Sequence, residues 1–233
     1  MELFTDQWST YRNVVDHDLM EHRALRGAFE RVLDQFVAAQ AESISMTDLG
    51  CGDLGLLPDL FLKLPLERFL GVDLSRPALQ IAAGKLADAG FACEWRQQDL
   101  LDWARHDAGG KPRVNLLHSS FAIHHLDDEL KAEFLCSAIA HMAPGGIFLW
   151  ADVFREPRET RADYLTRYLE RIDTAWTRLG VDERQYVKAH MSEFDFPADR
   201  VEIVKVAEDA GWQWQWLWTG QHQAEALALL QPR

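Results

Sequence analysis

The chain has 233 residues, 48% of them hydrophobic and 26% charged, with a formal net charge of −13, a length and mix that suit one large α/β domain able to bury a core without staples. The acidic balance repels DNA and RNA at long range, and no run of about 18 apolar residues offers a membrane span. The opening MELFTDQWSTYRN lacks the basic region and apolar stretch of a secretory signal, and Cys51, Cys93 and Cys136 make no metal-ligating spacing, so a cytoplasmic protein with reduced thiols is expected.

In chain order, 8–40 reads as helix with one break near Asp16–Asp18, because Leu25, Phe29, Val32, Leu33 and Phe36 recur at helical spacing. Short apolar strands are expected over 44–49, 69–72, 91–96, 114–119 and 147–153. Helices are expected between them over 58–64, 77–89 and 127–142. Ser75 caps the second of these, with Pro77 in its first turn, and Pro144-Gly145-Gly146 stops the third. Such alternation argues for a mostly parallel sheet with helices on both faces.

Beyond 153 the pattern changes. A long polar-amphipathic helix is expected over 156–179, an irregular or helical aromatic-rich segment over 182–196, and another helix over 197–210. Arg155, Arg158, Arg161, Arg167 and Arg171 interleave with Glu156, Glu159, Asp163 and Glu170, which reads as a solvated helix face with i,i+4 pairs. Trp212, Trp214, Trp216 and Trp218 alternate with other residues, which predicts a strand with one aromatic face. That face is expected to pack under the last helix, with a homodimer contact as the alternative. A last strand is expected over 225–230.

The central motif is Asp48-Leu-Gly50-Cys51-Gly52-Asp-Leu-Gly55 after a strand. Glycines let backbone approach a ligand and turn into a helix whose N-terminus attracts negative groups. Gly50-x-Gly52-x-x-Gly55, with Asp73 about 20 residues on, also fits the dinucleotide fingerprint, so this motif alone leaves NAD open. Other features discriminate. Asp48 stands where that fingerprint prefers an apolar residue, and its carboxylate suits a ligand bearing an ammonium. Asp73 closes Gly71-Val-Asp73-Leu74-Ser75, and Asp99-Leu100 follows the third strand. Ser119-Ser120-Phe-Ala-Ile-His124-His125-Leu126 follows the fourth strand, and Pro144-Gly145-Gly146 precedes the fifth.

Together these motifs, in order over 44–153, resemble the class I S-adenosylmethionine-dependent methyltransferases of small-molecule type. The resemblance implies an α/β fold with a Rossmann-like, seven-stranded, mostly parallel sheet, N-terminal helices and a helical lid insertion. It implies a single domain over 1–233: a helical cap (1–42), a cofactor-binding core (43–153), a lid (154–196) and a C-terminal helix with strands (197–233). S-adenosyl-L-methionine is then the cofactor and S-adenosyl-L-homocysteine the product. Gly50, Cys51 and Gly52 would contact the methionine part, Asp48 its ammonium, Asp73 the ribose, Leu74 the adenine face, Asp99 and Leu100 the adenine edge, and Ser119 and Ser120 the sulfonium end. Asn115 departs from the family's frequent aspartate and keeps polar bonding without the charge.

Ligands of open α/β sheets bind at the carboxyl ends of the strands. Segments outside the core form a lid in related methyltransferases, and here they carry aromatics. Trp8 and Trp176 are among them, beside Met191, and Tyr11, His17, Phe154, Tyr164, Tyr168 and Tyr186 are the expected substrate-binding residues. A hydroxyl acceptor would need a base near neutral pKa, and the candidates are His124, His125 and His190, with Asp152 fourth. No metal and no nucleic acid or membrane partner is expected. The alternatives are a cofactor-binding module without turnover and an NAD-linked oxidoreductase.

Overall fold

The computed structural model describes residues 2–39, 43–106 and 113–233, with side chains from residue 9 onward, so Trp8 lies outside the described side chains. Two helices open the chain, α1 (Glu2–Asp16) and α2 (His22–Ala39), with the expected break between them at Asp18 and Glu21, both in left-handed backbone. The core follows as β1 (Ile44–Leu49), α3 (Pro58–Phe61), β2 (Leu66–Asp73), α4 (Arg76–Lys85), β3 (Ala92–Gln97), α5 (Leu100–Arg105), β4 (Val114–Ser120), α6 (Asp128–Ala138) and β5 (Met142–Arg155). The lid is α7 (Arg161–Ala175) and α8 (Val181–Phe194), shorter and better separated than one long helix. The chain closes with β6 (Ala198–Asp199), α9 (Arg200–Asp209), β7 (Trp212–Thr219) and β8 (Glu225–Pro232).

The seven main strands run in the order β3-β2-β1-β4-β5-β8-β7, and the two-residue β6 pairs with the end of β5. The first five are parallel, and β8 is antiparallel to both neighbours. The strand order therefore reverses between β1 and β4, the position at which open α/β sheets bind ligands.

Side-chain alternation divides the core between the two faces. Phe148, Trp150 and Phe154 of β5 pack with Leu101 and Trp103 of α5, Phe134 and Leu135 of α6 and Ile203 of α9. Ile147, Leu149 and Ala151 face the other way, with Phe29 of α2, Leu60 of α3 and Leu79 of α4. A third cluster joins Val14 of α1 and Val153 to Tyr164, Tyr168, Trp176 and Met191 of the lid. The tryptophan strand corrects the expectation of one aromatic face. A register shift between Trp216 and Trp218 interrupts the alternation, so Trp212, Trp214 and Trp216 pack on the α9 side while Trp218 joins the opposite cluster.

Candidate active site

The glycine loop leaves β1 on left-handed backbone at Gly50, Gly52, Leu54 and Gly55. At Gly50 a Cβ would sit 2.2 Å from that of Ala122, whereas Gly52 and Gly55 face open space. No helix starts at this loop. The chain turns through it to the four-residue α3, so the expected helix N-terminus is absent here, and with it the usual seat of a dinucleotide pyrophosphate. Asp73 ties the loop down, its Oδ2 accepting from the Gly52 N–H at 2.8 Å and its Oδ1 from the Ser75 N–H at 2.7 Å. Burial pushes its pKa up against these bonds. Asp99 caps α5, accepting from Leu101 and Asp102 N–H groups.

These residues line a cavity of about 370 Å³ at the switch point. Asp48, Gly50, Cys51, Gly52, Asp73, Leu74, Asp99, Leu100 and Ser120 are all on its wall, as is His118. Leu74 is 65% exposed there, an apolar face without protein cover. Asp48 and His118 are register partners on β1 and β4, and His118 Nδ1 lies 2.6 Å from Asp48 Oδ1 with both side chains buried. Its Nε2 is buried without a hydrogen-bond partner. Sequence reasoning missed His118, because only the β1–β4 register brings it to Asp48. Ser119 corrects an expectation: strand alternation turns it to the opposite face, where its hydroxyl donates to the Leu49 carbonyl at 2.8 Å, and it is not on the wall of this cavity. Asn115 replaces charge with a bond from the Ser45 N–H to its Oδ1, 2.9 Å long.

A second cavity of about 330 Å³ lies under the lid. Thr10, Val14, Met20, Val153, Trp176, Tyr186, Val187 and Met191 form its mainly apolar wall, and His124, His125, His190 and Asp195 its polar end. Tyr11, Phe121 and His125 line both cavities. Phe121 holds a φ of 51° there, a conformation that costs a bulky residue of order 1–3 kcal/mol.

The polar end is tightly arranged. Asp152 is buried and accepts from the His124 backbone N–H at 3.0 Å and the Trp150 indole at 2.9 Å. Its Oδ1 lies 2.5 Å from His124 Nδ1. Burial alone would lower the His124 pKa, but the Asp152 and Asp195 carboxylates outweigh it and hold the value above the ordinary one. His125 is pushed down to about 4 by burial and by His124, and its Nδ1 donates to the Phe194 carbonyl at 3.1 Å. That leaves Nε2 as the lone pair of a neutral ring. His190 sits edge-on to His125 with ring centres 5.5 Å apart, and burial lowers its pKa.

Asp195 was not foreseen from sequence. It follows the lid's last helix and reaches the strand ends only through folding. Its Oδ1 lies 3.5 Å from His124 Nε2 and 3.7 Å from His125 Nδ1. His124, His125 and Asp195 present ligand-type atoms within 4.8 Å of one another, so the metal-free expectation for this protein is not one that the side chains enforce.

Of the residues expected to touch substrate, Tyr11 and Tyr186 are on the second cavity. Four others correct the expectation. His17 is exposed and lines neither cavity. Phe154 alternates to the far face, against Trp150 and Trp216. Tyr164 and Tyr168 lie one layer beneath the cavity, with the Tyr168 hydroxyl donating to Glu225 at 2.6 Å. Asp152 lines neither cavity, and its oxygens are spent on His124 and its neighbours.

Residues 46–146 match the family model described as a methyltransferase domain. No curated protein matches the chain significantly. Among solved structures, YcgJ from Bacillus subtilis is 12% identical, with 89% of this chain and 99% of that one covered and a TM-score of 0.62. The DhpI–SAM–HEP complex is 21% identical, covering 99% and 98%, with a TM-score of 0.58. A TehB-like SAM-dependent methyltransferase from Corynebacterium glutamicum is 15% identical, covering 94% and 98%, with a TM-score of 0.53. The matched stretch holds the glycine loop, Asp73, Asp99 and the β4 motif in one sheet, so residues 46–146 of this chain form a methyltransferase domain.

Proposed function

We propose that this enzyme transfers the methyl group of S-adenosylmethionine to a small-molecule acceptor and releases S-adenosylhomocysteine. The observation that carries this reading is the pair of adjoining cavities that share Tyr11, Phe121 and His125. The first cavity suits the donor. Backbone without side chains at Gly52 and Gly55 leaves room, and Asp48, Asp73 and Asp99 on its wall offer carboxylate acceptors for an ammonium, two ribose hydroxyls and an adenine amino group. The donor named in the DhpI complex agrees with this reading. When bound, S-adenosylmethionine supplies a methyl group already activated by the sulfonium charge. The protein's part is to hold the acceptor about 3–3.5 Å from that carbon and to exclude water. The second cavity does this with an apolar lid wall, and His125 is the imidazole that reaches both cavities. We further propose a cytoplasmic protein, with no nucleic-acid partner.

Thermal-shift titration with S-adenosylmethionine, S-adenosylhomocysteine and NAD tests the reading. A ligand at 100 times its Kd stabilises the native state by about 2.7 kcal/mol. Both adenosyl compounds should raise Tm, NAD should not, and Asp73→Ala should abolish the shift. A response to NAD alone, or to none of the three, overturns the proposal.

A further inference from the structure

The second cavity contains two buried polar groups whose hydrogen-bonding capacity the protein leaves unused. Asp195, 5% exposed, has an Oδ1 without a hydrogen-bond partner. The Trp176 indole N–H, at 2% exposure, has none either. Both residues line the cavity, and leaving such groups unsatisfied costs of order 1–3 kcal/mol each. A ligand that donates to Asp195 Oδ1 recovers the carboxylate's share of that cost, and the Trp176 ring remains as an aromatic wall.

The charges around the cavity narrow the ligand further. No lysine or arginine lines it among the described residues. Lys131, which is close in the fold, gives its ammonium to the carbonyls of Leu126 and Phe196, and Arg161 gives its guanidinium to those of Asp195 and Ser192. Two carboxylates, Asp152 and Asp195, stand at the polar end against the imidazoles of His124 and His125, and burial disfavours the charged forms of His125 and His190. Tyr11, Phe121, Trp176 and Tyr186 present aromatic faces in the same space, which attract a cation. A carboxylate or phosphate-bearing acceptor would meet the Asp195 carboxylate with no basic side chain to receive it.

We infer that the second cavity is a binding site for an amine with an apolar body, whose ammonium donates to Asp195 Oδ1 and whose carbon skeleton lies against Trp176, Tyr186 and Met191. This rests on the proposed methyl transfer only for the amine's role as acceptor. Binding itself is a property of Asp195 and the aromatic wall.

The test is calorimetric titration of the protein, alone and saturated with S-adenosylhomocysteine, with 2-phenylethylamine, 2-phenylethanol and phenylacetate. The amine should bind best, the alcohol about tenfold more weakly, and the carboxylate not measurably, in line with a charge-assisted bond. Asp195→Asn, which keeps the side-chain shape, should erase the preference of amine over alcohol while leaving S-adenosylhomocysteine affinity unchanged. The inference is overturned if phenylacetate binds as well as the amine, if none of the three binds at millimolar concentration, or if Asp195→Asn retains the preference. It is also overturned if zinc binds stoichiometrically and displaces the amine, since His124, His125 and Asp195 would then be metal ligands. Failure of S-adenosylhomocysteine to bind would instead refute the donor reading, and the amine ranking on the protein alone would still stand or fall by itself.

Discussion

At the scale of single residues, His125 is the point where the two cavities meet. Its Nδ1 is held by the Phe194 carbonyl and its ring is neutral near pH 7, so it can place and partly desolvate the acceptor without adding charge. His125→Ala should lower turnover at least about tenfold, a floor set below the roughly 100-fold or more that a positioned proton acceptor contributes. S-adenosylhomocysteine affinity should stay within about twofold, since the residue only borders the first cavity. Steady-state kinetics on an acceptor found by screening, paired with calorimetry, would check both numbers, and unchanged turnover would remove His125 from the mechanism. The residues of the donor cavity were legible in the sequence because each lies in a local motif: Gly50 and Gly52 in a turn, Asp73 and Asp99 at strand ends. His118 and Asp195 were not. The first meets Asp48 across 70 residues of chain and the second arrives on the lid, and no local pattern encodes either approach.

At the scale of elements, the lid is fastened by arginines that sequence reading assigned to a solvated face with i,i+4 pairs. Arg167 instead pairs with Glu159 eight residues away, and Arg155 reaches Asp128 on α6. Arg171 donates to the fully buried Glu225 of β8 and to the Leu19 carbonyl. Charge spacing shows which pairs could form along a helix, but not which long-range carboxylates outcompete them. Because Glu225 is buried, Arg171→Ala strands its charge, and removal of one partner of such a pair costs about 3–5 kcal/mol. Urea unfolding should show a loss of that size. A loss below about 1 kcal/mol would mean that the Tyr168 hydroxyl and solvent suffice to hold Glu225. The sequence reading placed Tyr164 and Tyr168 in the lid as substrate contacts. It could not say that Val14, Val153 and Met191, rather than a substrate, would be their neighbours.

At the scale of the whole molecule, the sheet with helices on both faces was legible because strand and helix periods alternate through the core. The antiparallel closing pair was legible as strands but not in its register, where the shift at Trp216 redistributes the tryptophans between two cores. The same folding buries His22, with neither ring nitrogen hydrogen-bonded, and burial lowers its pKa to about 4. The unfolded chain takes up a proton near pH 6.5 that the folded one refuses until about pH 4. Proton linkage at His22 therefore costs no stability above pH 6.5, and stability falls as pH drops from there to about 4, by up to about 3 kcal/mol at 1.36 kcal/mol per pH unit. Urea midpoints between pH 7 and 4.5 should show this slope, and His22→Phe, which keeps the ring against Phe121, should make it shallower, the remainder coming from His125 and His190, whose pKa values are also lowered. An equally steep slope in that variant would assign the acid sensitivity elsewhere.

Tyr11, Phe121 and His125 form a single wall with a ligand space on each side. Any shift of that wall that improves one space alters the other, so the two occupancies share a coupling free energy. Thermodynamics makes that quantity the same in both directions. Whatever factor a donor-side ligand adds to the affinity for an acceptor, the acceptor must return to the donor side, and a substitution in the wall should change both factors equally.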